Sequence, residues 1–533
     1  MSIPKKNTFF GGAAILMVSA IVVKLIGALY KLPITIVLGK VGYGHFMNAY
    51  TIFALLLTIS TAGLPVALSQ SIARADTLGR KNQVQKTFRI ASAAFLLMGA
   101  LGALGLFFGA EGLAAWQGDT GATLAIRALS PCVLLVCLMS AFRGYAQGHG
   151  DMIPTSVSQM LESACKVVSG LLLGWLVMSL PFPSPELRVE AGAAGAILGV
   201  SVGALVGLLY LMFLYFRQKR SAAAPSRDVP DSAGTILKDL LKVAVPITLG
   251  SSVMAIVNLI DTNLVQNLLQ DALGLSQTVA VGLYGTYQSA NILYNLPAAL
   301  MIPFTASIIP AVSAALAARN PLRASRISQS AIRMAALIAF PAGVGLTVLA
   351  EPIMYLVYHR TDIDFTVGGN LLAVLGISSA FVCIMAISNA VLQAYGFVNL
   401  PIGIAAVGGV IKLTVNYLLV GNPQFGIYGA PIGTLCCFGA VAILDVIAIL
   451  RVVPAPPSFF RAFAKPALAS ALMGGVVFFS HRLLADFGMY ATLLSIGIGG
   501  LSYLVFVVVL RVFSKEDLAL MPHGDKLAKL LHL

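Results

Sequence analysis

A small set of ionisable residues interrupts an otherwise apolar chain. Lys24 and Lys31 lie seven residues apart in one apolar stretch, which puts them on nearly the same face of a helix. Glu162 and Lys166 are four apart in another stretch, in the acid-before-base order that favours a helical pair. Asp261 and Lys412 occupy two further stretches, and Arg127 and Asp445 lie near the ends of two more. A charge inside a membrane is costly unless it is paired or faces a wet cavity, so such residues mark binding sites and pathways. Two lysines on one face can offset an anion, and a buried carboxylate can carry a proton or a metal cation. Lys24 has no acid in its own stretch and is read as a cavity residue with Lys31. Lys166, Lys412 and Glu162 are further candidates to bind substrate. Two readings of Glu162 and Lys166 stand: they neutralise each other, or they serve the cavity. Asp261 likewise reads as a partner for a lysine or as the site of a coupling ion. Arg127 and Asp445 are expected to snorkel to an interface.

The elements that must hold these residues are membrane helices. Of 533 residues, 58% are hydrophobic and 10% are charged, against about 25% charged in soluble domains. Mean hydropathy is +0.91. The apolar runs reach the length of about 20 residues that a bilayer core requires, and the short alternating strands of a barrel are absent. Fourteen spans are expected, making an all-α polytopic membrane protein of two six-helix lobes plus two C-terminal helices. Residues 1–217 would form the first lobe and 218–242 a polar, flexible cytoplasmic linker. Residues 243–451 would form the second lobe, and 452–533 the last two helices and a cytoplasmic tail. Two stretches, 9–38 and 280–317, exceed the length a span needs and predict tilt or kinks.

Charge tests this map. The net charge is +14, but no basic domain lies outside the apolar stretches, so nucleic-acid binding is excluded. Of 34 lysines and arginines, 25 fall at the termini and in loops on one side and five on the other. That asymmetry predicts a bacterial inner-membrane protein with both termini cytoplasmic. Lys5 and Lys6 ahead of an apolar run look like a signal peptide, but no A-x-A-like site follows, and an uncleaved first span is expected. The six cysteines all lie in apolar stretches without zinc spacing, so neither a metal site nor a disulfide framework is implied.

The chain also repeats itself. Gln147, Gly150 and Lys166 recur at the same separations as Gln393, Gly396 and Lys412. Gly192-x-x-Gly195-Ala196-x-x-Gly199 recurs as Gly426-x-x-Gly429-Ala430-x-x-Gly433. Pro65 with Arg74 recurs as Pro310 with Arg319, and Ala20-Ile21-Val22 as Ala255-Ile256-Val257. An even number of spans per copy predicts parallel repeats, with substrate bound between them and alternating access by rocking. Gly199-Val200-Ser201-Val202-Gly203 matches a hydrolase nucleophile elbow in letters only. It sits in a ladder with Gly195 and Gly207, which reads as helix packing. No nucleotide-binding motif appears. No cofactor is expected, and energy would come from a sodium or proton gradient or from the membrane potential.

Several blocks resemble the stage V sporulation protein B family of polysaccharide exporters. They are Lys24-Leu25-Ile26-Gly27 through Lys31-Leu32-Pro33, Gly63-Leu64-Pro65-Val66-Ala67-Leu68-Ser69, and Arg143-Gly144-Tyr145-Ala146-Gln147-Gly148 with Ser158-Gln159 and Glu162. Asn258-Leu259-Ile260-Asp261, Asn295-Leu296-Pro297 and Ile309-Pro310-Ala311-Val312-Ser313 continue the resemblance. It implies membership of the multidrug/oligosaccharidyl-lipid/polysaccharide superfamily, with MurJ-type lipid II flippases and MATE exporters. It further implies two lobes around a central cavity and a lipid-facing groove on the last two helices. The implied activity is transport rather than catalysis: movement of an undecaprenyl-diphosphate-linked saccharide, lipid II first among them, to the outer leaflet. The implied partners are that lipid-linked substrate and membrane lipids. MurJ-type members line the cavity with arginines, where this chain presents Lys24 and Lys31. A MATE-like exporter of cationic drugs, coupled to protons or sodium, is the alternative, with Asp261 or Glu162 as its carboxylate. A membrane-embedded enzyme is disfavoured because the six histidines are scattered.

Overall fold

A computed structural model describes residues 9–221, 228–453, 456 and 458–512. Within its helices the side chains of 9–17, 20, 21, 24, 25, 28, 29, 218–221, 302, 303, 306 and 461 lie outside the description. No strand occurs among the described residues. Twelve helices there are long and apolar enough to cross a membrane. Two of the fourteen expected spans are not among them: residues 9–38 belong to the first long helix, and 280–317 is broken into two helices, Gln277–Tyr294 and Leu296–Ala317.

Helix α1 (Phe9–Thr61) is two helices joined at Gly39, whose φ of 70° and ψ of 179° suit a residue without a side chain. Its second arm runs on through α2 (Gly63–Thr77). Helices α3 (Lys81–Trp116), α4 (Thr123–Gly148), α5 (Ile153–Ser179) and α6 (Pro185–Ser221) follow. Next come α7 (Ala233–Asp271), α8 (Gln277–Tyr294) and α9 (Leu296–Ala317). The break at Asn295 precedes Pro297, whose ring cannot continue the α8 ladder. The rest are α10 (Pro321–Val348), α11 (Ala350–Tyr358), α12 (Phe365–Ala394), α13 (Asn399–Val420), α14 (Gly429–Val452), α15 (Phe459–Leu483) and α16 (Met489–Val509).

The chain divides into two compact units, Met1–Gly285 and Thr286–Leu533. In the first, α7 packs against α1, α2 and α3. Helices α5 and α6 meet through glycines: a Cβ on Gly195 would lie 3.0 Å from the Leu173 carbonyl oxygen, and Gly199 abuts Gly170. Lipid offers helices no hydrophobic reason to associate, so close backbone approach and dispersion must hold them. The Gly199–Gly203 segment is thus a packing ladder, as its spacing implies. Lipid is left the large apolar side chains that stay exposed, such as Leu97, Leu101 and Phe108 on α3 and Val168, Leu172 and Trp175 on α5. In the second unit α15 packs on α10, and α16 on α15. Tyr503 of α16 donates to the Leu337 carbonyl at 2.9 Å, and Gly474 of α15 admits Val344.

The expected linker at 218–242 lies partly outside the described residues, and its described end is tied to the start of α3. Helix α6 reaches Ser221 and α7 begins at Ala233, with 222–227 outside the described residues. The Asp228 carboxylate accepts from the amides of Asn82 and Gln83 at 3.0 and 2.9 Å, capping the start of α3 from a distant part of the chain. Asp231 pairs with Arg80 at 3.0 Å. Asp228 thus satisfies helix-end amides that α3 cannot pair within itself.

Candidate functional site

The first unit places Lys31 on α1 within electrostatic reach of Lys166 on α5. The two helices pack directly, and Tyr30, beside Lys31, rests on Gly170, one turn beyond Lys166. Tyr30 also bonds the Ala196 carbonyl of α6 at 3.5 Å. The Lys31 ammonium lies 5.4 Å from the centroid of the Tyr50 ring, close enough for a cation–π contact. Tyr50 belongs to an aromatic ladder on the second arm of α1. Tyr43, Phe46 and Tyr50 stack at 6.0 and 5.8 Å, and Phe53 meets Tyr50 edge-on at 5.8 Å. Both lysines are half-buried, and among the described residues neither has a carboxylate at ion-pair distance.

The reason is the disposition of Glu162. Mutual neutralisation of Glu162 and Lys166 is one of the two sequence readings; the structure gives Glu162 to Arg143 instead, at 2.8 Å. The Arg143 Nε donates to Ser158 Oγ at 3.0 Å, and Ser158 in turn donates to the Thr155 carbonyl at 2.8 Å. Side-chain exposure is 10% for Arg143 and 22% for Glu162, so the pair lies mostly within the helix bundle. Arg143 is absent from the candidates read off the sequence because its place near the end of a span suits a headgroup-level charge. Its neighbour Gln147, four residues on and bonded to Thr155 at 3.4 Å, is the signal of a polar seam between α4 and α5.

The α6 ladder fixes the turn that carries these groups. A Cβ on Gly203 would stand 2.5 Å from the Glu162 carbonyl oxygen and 3.0 Å from the Lys166 amide nitrogen. One on Gly207 would stand 3.3 Å from the Ser158 carbonyl oxygen and 3.5 Å from the Glu162 Cβ. Small residues therefore bring α6 onto the functional turn of α5.

The remaining candidates lie elsewhere. The Lys24 side chain is outside the described residues. Asp261 is buried on α7 in the first unit, beside Thr262, whose hydroxyl shares a 2.8 Å bond with Tyr284. Lys412 is 7% exposed on α13 in the second unit, close enough to Tyr294 to act on it electrostatically. Arg127 pairs with Glu111 at 2.6 Å, with both side chains substantially exposed, as an interface residue should be. Asp445 does not snorkel: it is 0% exposed, and neither carboxylate oxygen has a hydrogen-bond partner among the described residues. Its place two turns before the end of α14 suggests reach to the surface, but the residue is buried in a helix that packs against both α12 and α13.

A second polar cluster in the first unit escapes sequence reading. His45 Nδ1 lies 2.7 and 2.8 Å from the two oxygens of the fully buried Asp119. Asn48 donates to Asp119 and exchanges hydrogen bonds with Gln266 of α7 at 3.1 and 2.7 Å. Gln270 donates to the Gly118 carbonyl at 2.7 Å. These bonds tie α7 to α1 and to the α3–α4 connection.

An all-helical, multi-pass membrane protein with ionisable groups held between helices is the class these observations define. The sequence profile of the polysaccharide biosynthesis protein family matches residues 9–316, more than half of the chain, and the chain belongs to that family. The MatE profile matches residues 246–418. The chain is 27% identical to the membrane protein YabM of Bacillus subtilis, over 99% of this chain and 97% of the relative. It is 25% identical to stage V sporulation protein B of the same organism, over 97% and 98%. Its fold is that of lipid II flippase MurJ in an inward closed conformation, with a TM-score of 0.69 at 16% identity, covering 92% of this chain and 97% of that one. The superfamily is the multidrug/oligosaccharidyl-lipid/polysaccharide one that the sequence blocks resemble.

Proposed function

We propose that the chain is a flippase, not an enzyme, that moves an undecaprenyl-diphosphate-linked saccharide, lipid II foremost, to the outer leaflet of a bacterial cytoplasmic membrane. The observation that carries this reading is that Lys31 and Lys166 lie on directly packed helices, within electrostatic reach, with no carboxylate at ion-pair distance from either among the described residues. Two neighbouring ammonium groups repel, and an anion that bridges them removes the repulsion. At about 4 Å and an effective dielectric of about 20, each ammonium–phosphate contact is worth about 4 kcal/mol before desolvation is charged against it. A diphosphate suits two point charges better than a single phosphate does. Lys24, seven residues before Lys31 on the same face, extends the set. Tyr50 and its aromatic ladder offer a flat surface beside the cations. The saccharide class is also what the family and the relatives' printed names suggest.

With both termini cytoplasmic, outward movement carries negative charge away from a negative compartment. At about 2.3 kcal/mol per charge per 100 mV, two charges gain about 4.6 kcal/mol per 100 mV. Asp261 is a candidate for an added proton or sodium coupling. The test is a proteoliposome assay that scores labelled lipid II on each leaflet. Lys31→Gln and Lys166→Gln should each abolish transfer while leaving the protein folded, and collapse of the potential should slow it. Full-rate transfer by both variants would refute the reading.

The MatE match over residues 246–418 favours a second reading, a cation-coupled drug exporter. Such a protein needs a carboxylate open to a cationic cargo. Glu162 is engaged by Arg143 and Asp261 is buried, which weakens it. Lys31→Gln would leave drug efflux intact if that reading held and end lipid II transfer if it did not.

A further inference from the structure

We infer that Arg143 is a positioning residue: by sequestering Glu162 it holds Lys166 unpaired and keeps the lysine pair cationic. The inference rests on the proposed lysine site and assigns what maintains that site's charge.

Three independent observations lead to it. Glu162 and Lys166 are one turn apart on α5, the spacing at which acid and base meet on a helix surface, yet Glu162 bonds Arg143 at 2.8 Å. The alternative partner is therefore always within reach, and Arg143 wins it. It is fixed there by a second bond, from its Nε to Ser158 Oγ at 3.0 Å. A planar guanidinium held at two of its nitrogens is pre-organised for the carboxylate in a way that a flexible ammonium is not. Backbone packing also holds the competition in place. Gly203 of α6 sits on the peptide groups of both Glu162 and Lys166, so α6 packs closely on the turn that carries both side chains.

The internal repeat supplies the third observation. Gln147 and Lys166 correspond to Gln393 and Lys412, so Arg143 corresponds to Asn389 and Glu162 to Gly408. The second copy keeps the lysine and lacks both the acid and the arginine. Where no acid threatens the lysine, no arginine is present to remove it. An arginine whose task was to touch an anion would have no reason to disappear together with a glutamate.

The charge count makes the consequence concrete. Lys31, Lys166, Arg143 and Glu162 together carry two net positive charges, both on the lysines. Without Arg143, Glu162 turns to Lys166 and one lysine is silenced. Without either member of the clip, both lysines stay cationic.

The experiment measures the Kd of purified, reconstituted protein for undecaprenyl diphosphate, with thermal stability recorded beside it, in Arg143→Gln, Glu162→Gln, the double variant and Lys166→Gln. Arg143→Gln should weaken binding roughly tenfold or more. Arg143→Gln/Glu162→Gln should recover binding to within about twofold of the unsubstituted protein. A merely structural arginine would not be rescued by removing its partner as well. Arg143→Lys, which keeps the charge but loses the guanidinium fork and competes with Lys166 on equal terms, should bind between Arg143→Gln and the original. If Arg143→Gln alone does not fold, the double variant and Glu162→Gln still decide the matter. A folded double variant that binds as weakly as Lys166→Gln would overturn the inference and give Arg143 a direct contact with the anion. Undiminished binding by Lys166→Gln would instead fail the lysine site itself, whatever the arginine does.

Discussion

The two copies of the internal repeat share part of one helix contact and reverse another: Gly195 and Gly429 both pack on a leucine of the partner helix, Leu173 and Leu419, but one turn of the contact is exchanged. In the first, α6 supplies the small residue and α5 the large one: Gly203 lies against the turn that carries Glu162 and Lys166. In the second, the corresponding residues are Cys437 on α14 and Gly408 on α13, so the small residue has changed sides. Gly408 receives Val441 and the Cys437 sulfur, which a Cβ there would meet at 3.3 Å. The lysine survives in both copies, but Lys166 is half-buried near a second cation, whereas Lys412 is 7% exposed beside Tyr294 and the fully buried Asn416. At this one turn the small residue has moved from α6 in the first copy to α13 in the second, while Gly429 and Gly433 keep α14 close to α13 elsewhere. The copy with the small residue on α6 is the one that carries the glutamate and its arginine.

The sharpest test of this asymmetry compares the two lysines. Lys166→Gln should abolish lipid II transfer with little change in melting temperature. Lys412→Gln should lower the melting temperature and leave the apparent KM within about twofold of the original. Equal transport defects in the two would erase the distinction. Next in size is the packing exchange. Gly203→Val drives a side chain into the Glu162 peptide, an overpacking that costs about 1–3 kcal/mol. Cys437→Val, at the equivalent place, meets a neighbour that already accommodates a side chain and should cost less. Thermal denaturation in detergent reads both, and a milder effect at Gly203 would contradict the packing account. Smaller again is Tyr50→Leu. Loss of a cation–π contact is worth about 0.5–2 kcal/mol, so substrate affinity should fall several-fold while transport continues, as a binding titration would show. The smallest effect belongs to Arg127→Ala. Its exposed pair with Glu111 contributes about 0–1 kcal/mol, and transfer rates should match those of the original protein.

Much of this architecture was legible because the bilayer enforces it. Span length, the glycine ladder of α6 and the repeat all follow from periodicity and spacing, which survive in one dimension. The break at Asn295 falls inside 280–317, a stretch too long for one crossing, whereas the kink at Gly39 lies between the expected spans 9–38 and 44–70. The charged residues were legible as a set but not as pairs. Glu162 has a partner four residues away in sequence and another nineteen residues away on the neighbouring helix, and only the α4–α5 packing chooses between them. Asp445 looked like an interface residue because proximity to a helix end says nothing about what packs over it. The His45, Asn48, Asp119 and Gln266 network was invisible for the same reason. Its members come from α1, the α3–α4 connection and α7, and none has an unusual local sequence.

Direct binding of undecaprenyl diphosphate to reconstituted protein tests the central claim most closely. The account predicts saturable binding, weaker binding of undecaprenyl monophosphate, and loss of the preference for the diphosphate when Lys31 and Lys166 are both replaced by Gln. A double variant that binds the diphosphate as tightly as the original protein, with the same preference, would contradict it.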